Sequence, residues 1–130
     1  MKRTIPALLS ALAVAGCTGS GAKNTLAPGG PSPRAIAMLQ TVNEKAQTCW
    51  VKSGDKDFQG LAIIPELDTR TGNPRLLVVE RGKATGLPKL VIEASGNPVT
   101  TTTYGPLMAS AVSARITGDV AAWSAGRTSC

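Results

Sequence analysis

The chemistry available to this chain is limited first by the side chains that it lacks. Its 130 residues include no histidine and only eight aspartates and glutamates. Without histidine there is no Ser-His-Asp or Cys-His pair for nucleophilic catalysis, and most zinc ligand sets are missing. The neighbouring carboxylates, Asp55 with Asp57 and Glu66 with Asp68, fit solvated loops or strand ends better than the walls of a catalytic cleft. We therefore expect no enzyme, no cofactor and no metal site.

Three cysteines remain as reactive side chains, and the first of them follows a distinctive N-terminal pattern. Lys2 and Arg3 precede an apolar stretch, Ile5 to Ala15, that is too short to span a bilayer. Small residues then lead into Cys17 in the order Val-Ala-Gly-Cys. A basic start, a short apolar stretch and small residues before a cut are typical of a secretory signal peptide.

The residues before Cys17 resemble the lipobox of bacterial lipoproteins. The resemblance implies that the Cys17 thiol receives a diacylglyceryl group, that residues 1–16 are removed and that the new N-terminus is acylated. Several acyl chains would anchor the protein stably to a membrane. In the best-known bacteria, an aspartate at the position of Thr18 retains a lipoprotein in the inner membrane. The resemblance thus favours the periplasmic face of the outer membrane, with the inner membrane as the alternative.

The other two cysteines, Cys49 and Cys130, form an even pair once Cys17 carries lipid. A secreted chain enters an oxidising compartment, where such a pair is normally bridged. The functional alternative, a redox or catalytic thiol, has neither a Cys-x-x-Cys motif nor a histidine to support it. We therefore predict a structural disulfide between Cys49 and Cys130. Closing a loop of about 80 residues is worth roughly 4.5 kcal/mol in the chain-entropy model.

The composition is that of a globular protein with a flexible tether. Hydrophobic residues make up 42% of the chain and charged residues 17%, with four aromatic residues in all. The net charge of +6 is spread along the chain and does not cluster with aromatic residues, so we expect no nucleic-acid partner. Residues 17–32 are dense in glycine and proline and predict the tether, whereas residues 33–130 predict one globular domain.

Periodic apolar residues predict a helix at each end of this domain. Ser32 and Pro33 suit a helix start, and the stripe that follows predicts a helix over residues 33–48. The members of that stripe are Ile36, Leu39, Val42, Ala46 and Cys49. A second stripe predicts a helix from about Pro106, with Gly118 as a potential break. The members of the second stripe are Met108, Val112, Ile116, Val120 and Trp123.

Between the helices, three apolar runs bounded by turn residues predict β-strands at residues 61–67, 75–80 and 90–92. The four threonines at 100–103 are β-prone but polar, and we do not count them as a strand. Pro65 lacks a main-chain donor, so the first strand is expected to lie at an edge or to carry a bulge.

The predicted fold is therefore α+β, in the order α-β-β-β-α. Two helices would pack on one face of a small three-stranded antiparallel sheet, and one disulfide would join the end of the first helix to Cys130.

The arrangement around Cys49-Trp50 resembles the C-terminal domains of TolA and TonB. TolA-like domains often carry Cys-Trp at the end of the first helix, bridged to a cysteine after the later helix, which implies the same Cys49–Cys130 pairing. The resemblance covers residues 34–130 in outline. The 130 residues include no long helical stalk like that of TolA and TonB, and they add an apolar strand at 90–92. What the resemblance implies is a binding mode in which a partner adds a strand to a sheet edge.

The leading functional expectation is a noncatalytic envelope module that faces the periplasm and binds another envelope protein through a sheet edge or a loop. Because Pro65 and Glu66 can guard the first strand, the free edge is expected at residues 89–93 or 100–103. The alternative is a small inhibitor of a lysozyme or protease, with residues 68–74 as the loop that enters a cleft. A hydrolase acting on the cell wall is a third hypothesis, and a Ser-Lys arrangement stays open for it although no motif points to one.

Overall fold

A computed structural model describes residues 30–70 and 72–130 of the chain. Cys17, the predicted signal peptide and most of the predicted tether lie outside these residues. The elements, in chain order, are α1 (Pro33–Ala46), β1 (Leu61–Glu66), β2 (Arg75–Glu80), β3 (Leu90–Ser95), β4 (Thr100–Tyr104) and α2 (Ser113–Ser124). Short helical turns occupy Gln47–Val51, Lys56–Phe58 and Pro106–Ala109. In this part of the chain no helix combines the length and apolarity that crossing a membrane requires.

Helix α1 begins at Pro33, as predicted, because proline suits the first helical turn. Its buried face differs slightly from the predicted stripe, because Ala35 is buried and Ile36 only partly so. The α-helix ends at Ala46, two residues earlier than predicted, and continues as a wider π-helical turn through Gln47–Val51. That turn buries both Cys49 and Trp50.

The four strands form an antiparallel meander in the order β1-β2-β3-β4. The predicted hairpin of β1 and β2 is confirmed, as is the α+β class. The prediction of three strands is wrong, because β4 pairs with β3 from Ser95↔Thr100 to Val91↔Tyr104. Its threonines alternate between half-buried and exposed positions, so β4 contains no apolar run. The signal for this strand was the β-branched side chain of threonine, which favours extended backbone.

Both helices cover one face of the sheet, with α1 packed against β2 and β3 and α2 packed against β4 and α1. Between these layers lies one hydrophobic core that contains seven strand side chains. They are Leu61, Ile63, Leu76, Val78, Leu90, Ile92 and Ala94. Full burial of one large aliphatic side chain is worth about 1.5–3 kcal/mol, so this core supplies most of the driving force for the fold.

Helix α2 begins at Ser113, later than predicted, because Pro106–Ala109 forms a separate 3-10 turn. That turn follows Gly105, whose φ of 123° is open to glycine but strained for other residues. A Cβ at Gly105 would also lie 2.9 Å from the main-chain oxygen of Lys89. The helix runs without interruption through Gly118 and buries the last three residues of the predicted stripe.

The predicted disulfide is confirmed. Cys49 and Cys130 are bridged across a sequence separation of 81 residues, with their Cα atoms 5.5 Å apart. Next to the bridge, the Trp50 ring stacks on Phe58 at a centroid distance of 4.5 Å and meets Trp123 at 5.1 Å. The bridge and three of the four aromatic residues thus fasten the end of α1 to α2 and to the segment that follows it.

Candidate binding surface

The two outer strands of the sheet can be compared through the direction of their main-chain groups. At the start of β1, the Arg81 N–H donates to the Gly60 oxygen at 2.8 Å, so the main-chain groups of Gly60 point toward β2. Main-chain groups alternate in direction along a strand, so at every second residue of β1 the N–H and C=O groups point away from β2, toward the open side of the strand. The outward-facing residues of β1 are Leu61, Ile63 and Pro65.

Each outward-facing position of β1 offers a further strand only one of its two main-chain groups. The Leu61 oxygen accepts from Arg81 Nη2 at 3.4 Å, and the Ile63 oxygen accepts from Gln47 Nε2 at 3.5 Å. Pro65 has no N–H, so it offers no donor to a further strand. The prediction that Pro65 marks an edge strand is confirmed, and β1 is an edge that resists pairing.

The other edge strand, β4, is oriented by the pairing of β3. The Ala94 N–H donates to the Pro74 oxygen at 3.2 Å, so the main-chain groups of Ala94 point toward β2. Those of its neighbour Glu93 therefore point toward β4. Thr102 lies opposite Glu93 and therefore pairs inward. By alternation, Thr101 and Thr103 are the residues of β4 whose main-chain N–H and C=O groups point away from β3.

The β4 edge is open. Within residues 30–70 and 72–130, no hydrogen bond reaches the main-chain N–H or oxygen of Thr101 or Thr103. The strand also contains no proline and no charged residue, the two devices that commonly protect an edge. It ends at Tyr104, a residue that is 43% exposed, and aromatic residues are enriched where proteins bind one another.

An uncharged groove borders this edge on the side of the helices, and it is named the β4 groove below. Its lining residues are Met38, Val99, Thr100, Thr101, Ala121, Ser124 and Ala125. The Thr101 and Ser124 hydroxyl oxygens lie 3.5 Å apart and join β4 to α2. The β4 groove continues between the two helices over Ala37, Thr41 and Gly126. The open edge therefore stands beside a shallow surface of small and apolar side chains.

The opposite face of the sheet carries one apolar row across all four strands. The row consists of Ile64, Leu77, Val91 and Tyr104, which are aligned by the register of the strands. A charged row runs beside it, in which Arg75 Nε lies 2.6 Å from Glu66 Oε2. The Tyr104 hydroxyl donates to Glu93 Oε2 at 3.3 Å and links the two rows. A strand added to β4 would extend both rows by one position.

The densest charged cluster is structural. Asp119, 14% exposed in its side chain, accepts from Trp50 Nε1 and from Arg127 Nη2, each at 2.9 Å. Arg115 bridges from this carboxylate to Asp55. The Asp57 N–H, and then the Arg115 guanidinium, hold the pKa of Asp55 below its ordinary value. These carboxylates are engaged in holding α2 to the loop after α1.

The described part of the chain contains no group of three or more His, Cys, Asp and Glu side chains arranged to hold a metal ion. No protein-family model, no curated protein and no solved structure matches this chain. The likeness to TolA and TonB domains therefore stays a prediction.

The structure places the sequence-predicted sites as follows. Cys49 and Cys130 come together in the bridge, whereas Cys17 lies outside the described residues. Residues 89–93 are wrong as a free edge, because β3 lies between β2 and β4. Residues 100–103 are right as an edge. Sequence reasoning missed Leu87, which is 91% exposed in the loop between β2 and β3, although the turn formers Gly86 and Pro88 on either side of it indicate a loop position.

Proposed function

We propose that this protein is a noncatalytic binding module of the cell envelope, which receives an extended segment of another envelope protein as a fifth strand on β4. The contrast between the two edges of the sheet supports this proposal most directly. Natural proteins generally protect edge strands, because an open edge pairs with any strand that reaches it. Here each outward-facing position of β1 offers only one main-chain group, whereas among the described residues nothing occupies either group of Thr101 or Thr103 on β4, which fits an edge that is kept for a partner.

Site-specific crosslinking tests this proposal in living cells. A photo-crosslinking amino acid replaces Thr102 on the β4 edge in one variant and Ile64 on the β1 edge in the other, two positions on the face of the sheet opposite the helices. We expect one discrete crosslinked partner from Thr102 and none from Ile64, because the Ile64 variant keeps Pro65. Thr103→Pro, introduced beside the Thr102 probe, should abolish the crosslink, because it removes an outward N–H that no group in the described fold uses.

The matched control for this experiment is Thr103→Val, which keeps the N–H and the β-branched shape. It should retain the crosslink, and circular dichroism should show that both Thr103 variants fold. Equal crosslinking from the two edges, or a crosslink that persists in Thr103→Pro, would show that β4 pairing is not the binding mode.

We further propose that Cys17 carries the lipid anchor, which would place the module at the periplasmic face of a membrane, in the first instance the outer membrane. The support is the order of basic residues, apolar stretch and small residues that ends at Cys17. Mass spectrometry of the mature protein should find a diacylated and N-acylated Cys17 as its first residue. Cys17→Ser should yield protein without lipid mass, and a mature N-terminus at any other residue would contradict the anchor.

A second candidate function, inhibition of an enzyme, is favoured by Leu87 rather than by residues 68–74. Leu87 projects between Gly86 and Pro88 and is 91% exposed. The loop around it is held in shape by Glu80, whose pKa is lowered first by Lys83 and then by Lys89. If this function is correct, the purified protein should inhibit a lysozyme or a protease and Leu87→Ser should abolish that inhibition. Failure against both enzyme classes would remove this candidate.

A further inference from the structure

We propose that the β4 groove selects an extended segment that is uncharged and carries small apolar side chains at every second position. This inference rests on the proposed function, because it describes the chemistry of the strand that β4 would receive. The selectivity follows from the residues that the side chains on each face of the added strand would contact.

The extended form is required by the main-chain groups of Thr101 and Thr103. A fifth strand satisfies these outward-facing groups only if its own N–H and C=O groups lie in the plane of the sheet. Its side chains then point alternately toward the helices and toward the opposite face. Only the set that points toward the helices enters the β4 groove.

This first set of partner side chains meets Ala121, Ala125 and Met38, none of which is charged. A charged partner side chain would lose water there without gaining an ion pair, which is costly. A bulky aromatic side chain would meet α2, because α2 packs directly on β4. Small apolar side chains therefore fit best.

Gly118 lies on the same face of α2, three residues before Ala121. A Cβ at Gly118 would meet nothing within 4 Å, so packing inside the described fold does not require a glycine there. The missing side chain leaves this face of the helix smooth beside the β4 groove.

The second set of partner side chains would lie beside Thr102 and Tyr104 on the opposite face. This side has both a polar row and an apolar row, because Tyr104 continues the row of Val91 while Thr102 continues the row of Glu93. Polar and apolar residues are both accommodated there. Selection is therefore expected at every second position of the partner and not at each one.

A second copy of the chain fits this edge poorly. Pairing β4 with its own symmetry mate would set the two strands about 4.8 Å apart. Because α2 packs on β4, the two α2 helices would be brought to roughly that spacing, whereas packed helix axes lie about 8–10 Å apart. The occupant is thus a segment that brings no helix of its own over the edge.

Selection from a displayed library of random peptides, about eight residues long and so within the usual range of strand lengths, tests the inference on the purified protein. We expect enriched peptides that are poor in charge and carry Ala, Val or Ser at every second position. A selected peptide should lose affinity about tenfold or more in Thr103→Pro, the equivalent of one main-chain hydrogen bond. A similar loss is expected in Ala121→Arg, which fills the β4 groove. The matched control is Ala111→Arg, an exposed alanine outside the β4 groove, which should bind like the wild type.

The remaining outcomes separate this inference from the proposed function. If Thr103→Pro weakens a selected peptide but Ala121→Arg does not, the edge pairs strands and the selectivity proposed for the β4 groove is wrong. Enrichment of charged or helical peptides, or no enrichment at all, also overturns the proposed selectivity. The crosslinks at Thr102 test the proposed function independently of this result. If Thr103→Pro has no effect on the peptide or on the crosslink, both proposals fail. A wild-type dimer in sedimentation that Thr103→Pro dissociates would assign the edge to a second copy.

Discussion

The indole nitrogen of Trp50 donates to the Asp119 carboxylate at 2.9 Å, across 69 residues of sequence. Trp50 lies in the turn after α1 and is 1% exposed, while Asp119 lies in α2. Asp119 also accepts from Arg127, which in turn donates to the Ser129 oxygen at 3.2 Å. This one carboxylate therefore holds together both helices and the segment that carries Cys130.

We predict that Asp119→Ala lowers the free energy of unfolding by about 1–3 kcal/mol, because the buried Trp50 N–H loses its acceptor. Urea denaturation followed by tryptophan fluorescence measures this change. Asp57→Ala is the control, since Asp57 is 57% exposed in its side chain and lies 3.5 Å from Arg115. It should change stability by less than about 0.5 kcal/mol. Equal losses in the two variants would contradict the role assigned to Asp119.

Loss of the disulfide is predicted to cost about 2–5 kcal/mol, because the bridge closes a long loop in the unfolded chain. The double variant Cys49→Ala with Cys130→Ala should show this loss in chemical denaturation. Reductant should move the unfolding midpoint of the wild type toward that of the double variant and leave the double variant unchanged. If reductant leaves the unfolding midpoint of the wild type unchanged, the bridge does not contribute to stability.

Acid should destabilise the protein through Asp55. The Asp57 N–H and the Arg115 guanidinium lower the pKa of Asp55 in the folded state, so its contribution is present above the unfolded pKa. That contribution is lost as the pH falls through the folded value, which places the window below about pH 4. The Asp55→Asn variant should be less stable than the wild type at pH 7 and should lose less stability on acidification. Parallel pH profiles for the two proteins would contradict this assignment.

Gly118→Ala is predicted to stabilise the fold by about 0.5–1 kcal/mol, because alanine favours a helix interior and its Cβ meets no neighbour within 4 Å. Thermal unfolding provides the measurement. Gly105→Ala is the matched contrast, since Gly105 has a φ of 123° and a Cβ there would crowd the Lys89 oxygen. It should destabilise by about 1 kcal/mol or more. Destabilisation by Gly118→Ala would reveal a packing role for that glycine inside the fold.

Local patterns were sufficient for most of the elements. The spacing of the buried residues Leu39, Val42 and Ala46 predicted α1, because the buried positions of a helix recur every three or four residues along the chain. Pro65 identified an edge strand, because the missing donor is a property of one residue. The pairing of Cys49 with Cys130 followed from a count of cysteines once Cys17 was set aside. Each of these inferences depended on residue type and spacing alone.

The open edge depended on contacts between residues far apart in the chain. Thr100 to Thr103 carry no apolar period, so their role as a strand appeared only when β3 supplied the partner backbone. Whether an edge is open is decided by the groups that the fold brings to it. Gln47 occupies the Ile63 oxygen on β1, whereas no side chain among the described residues reaches the outward N–H and C=O groups of β4. Main-chain hydrogen-bonding capacity is the same at nearly every residue, so sequence does not mark which groups remain unpaired after folding.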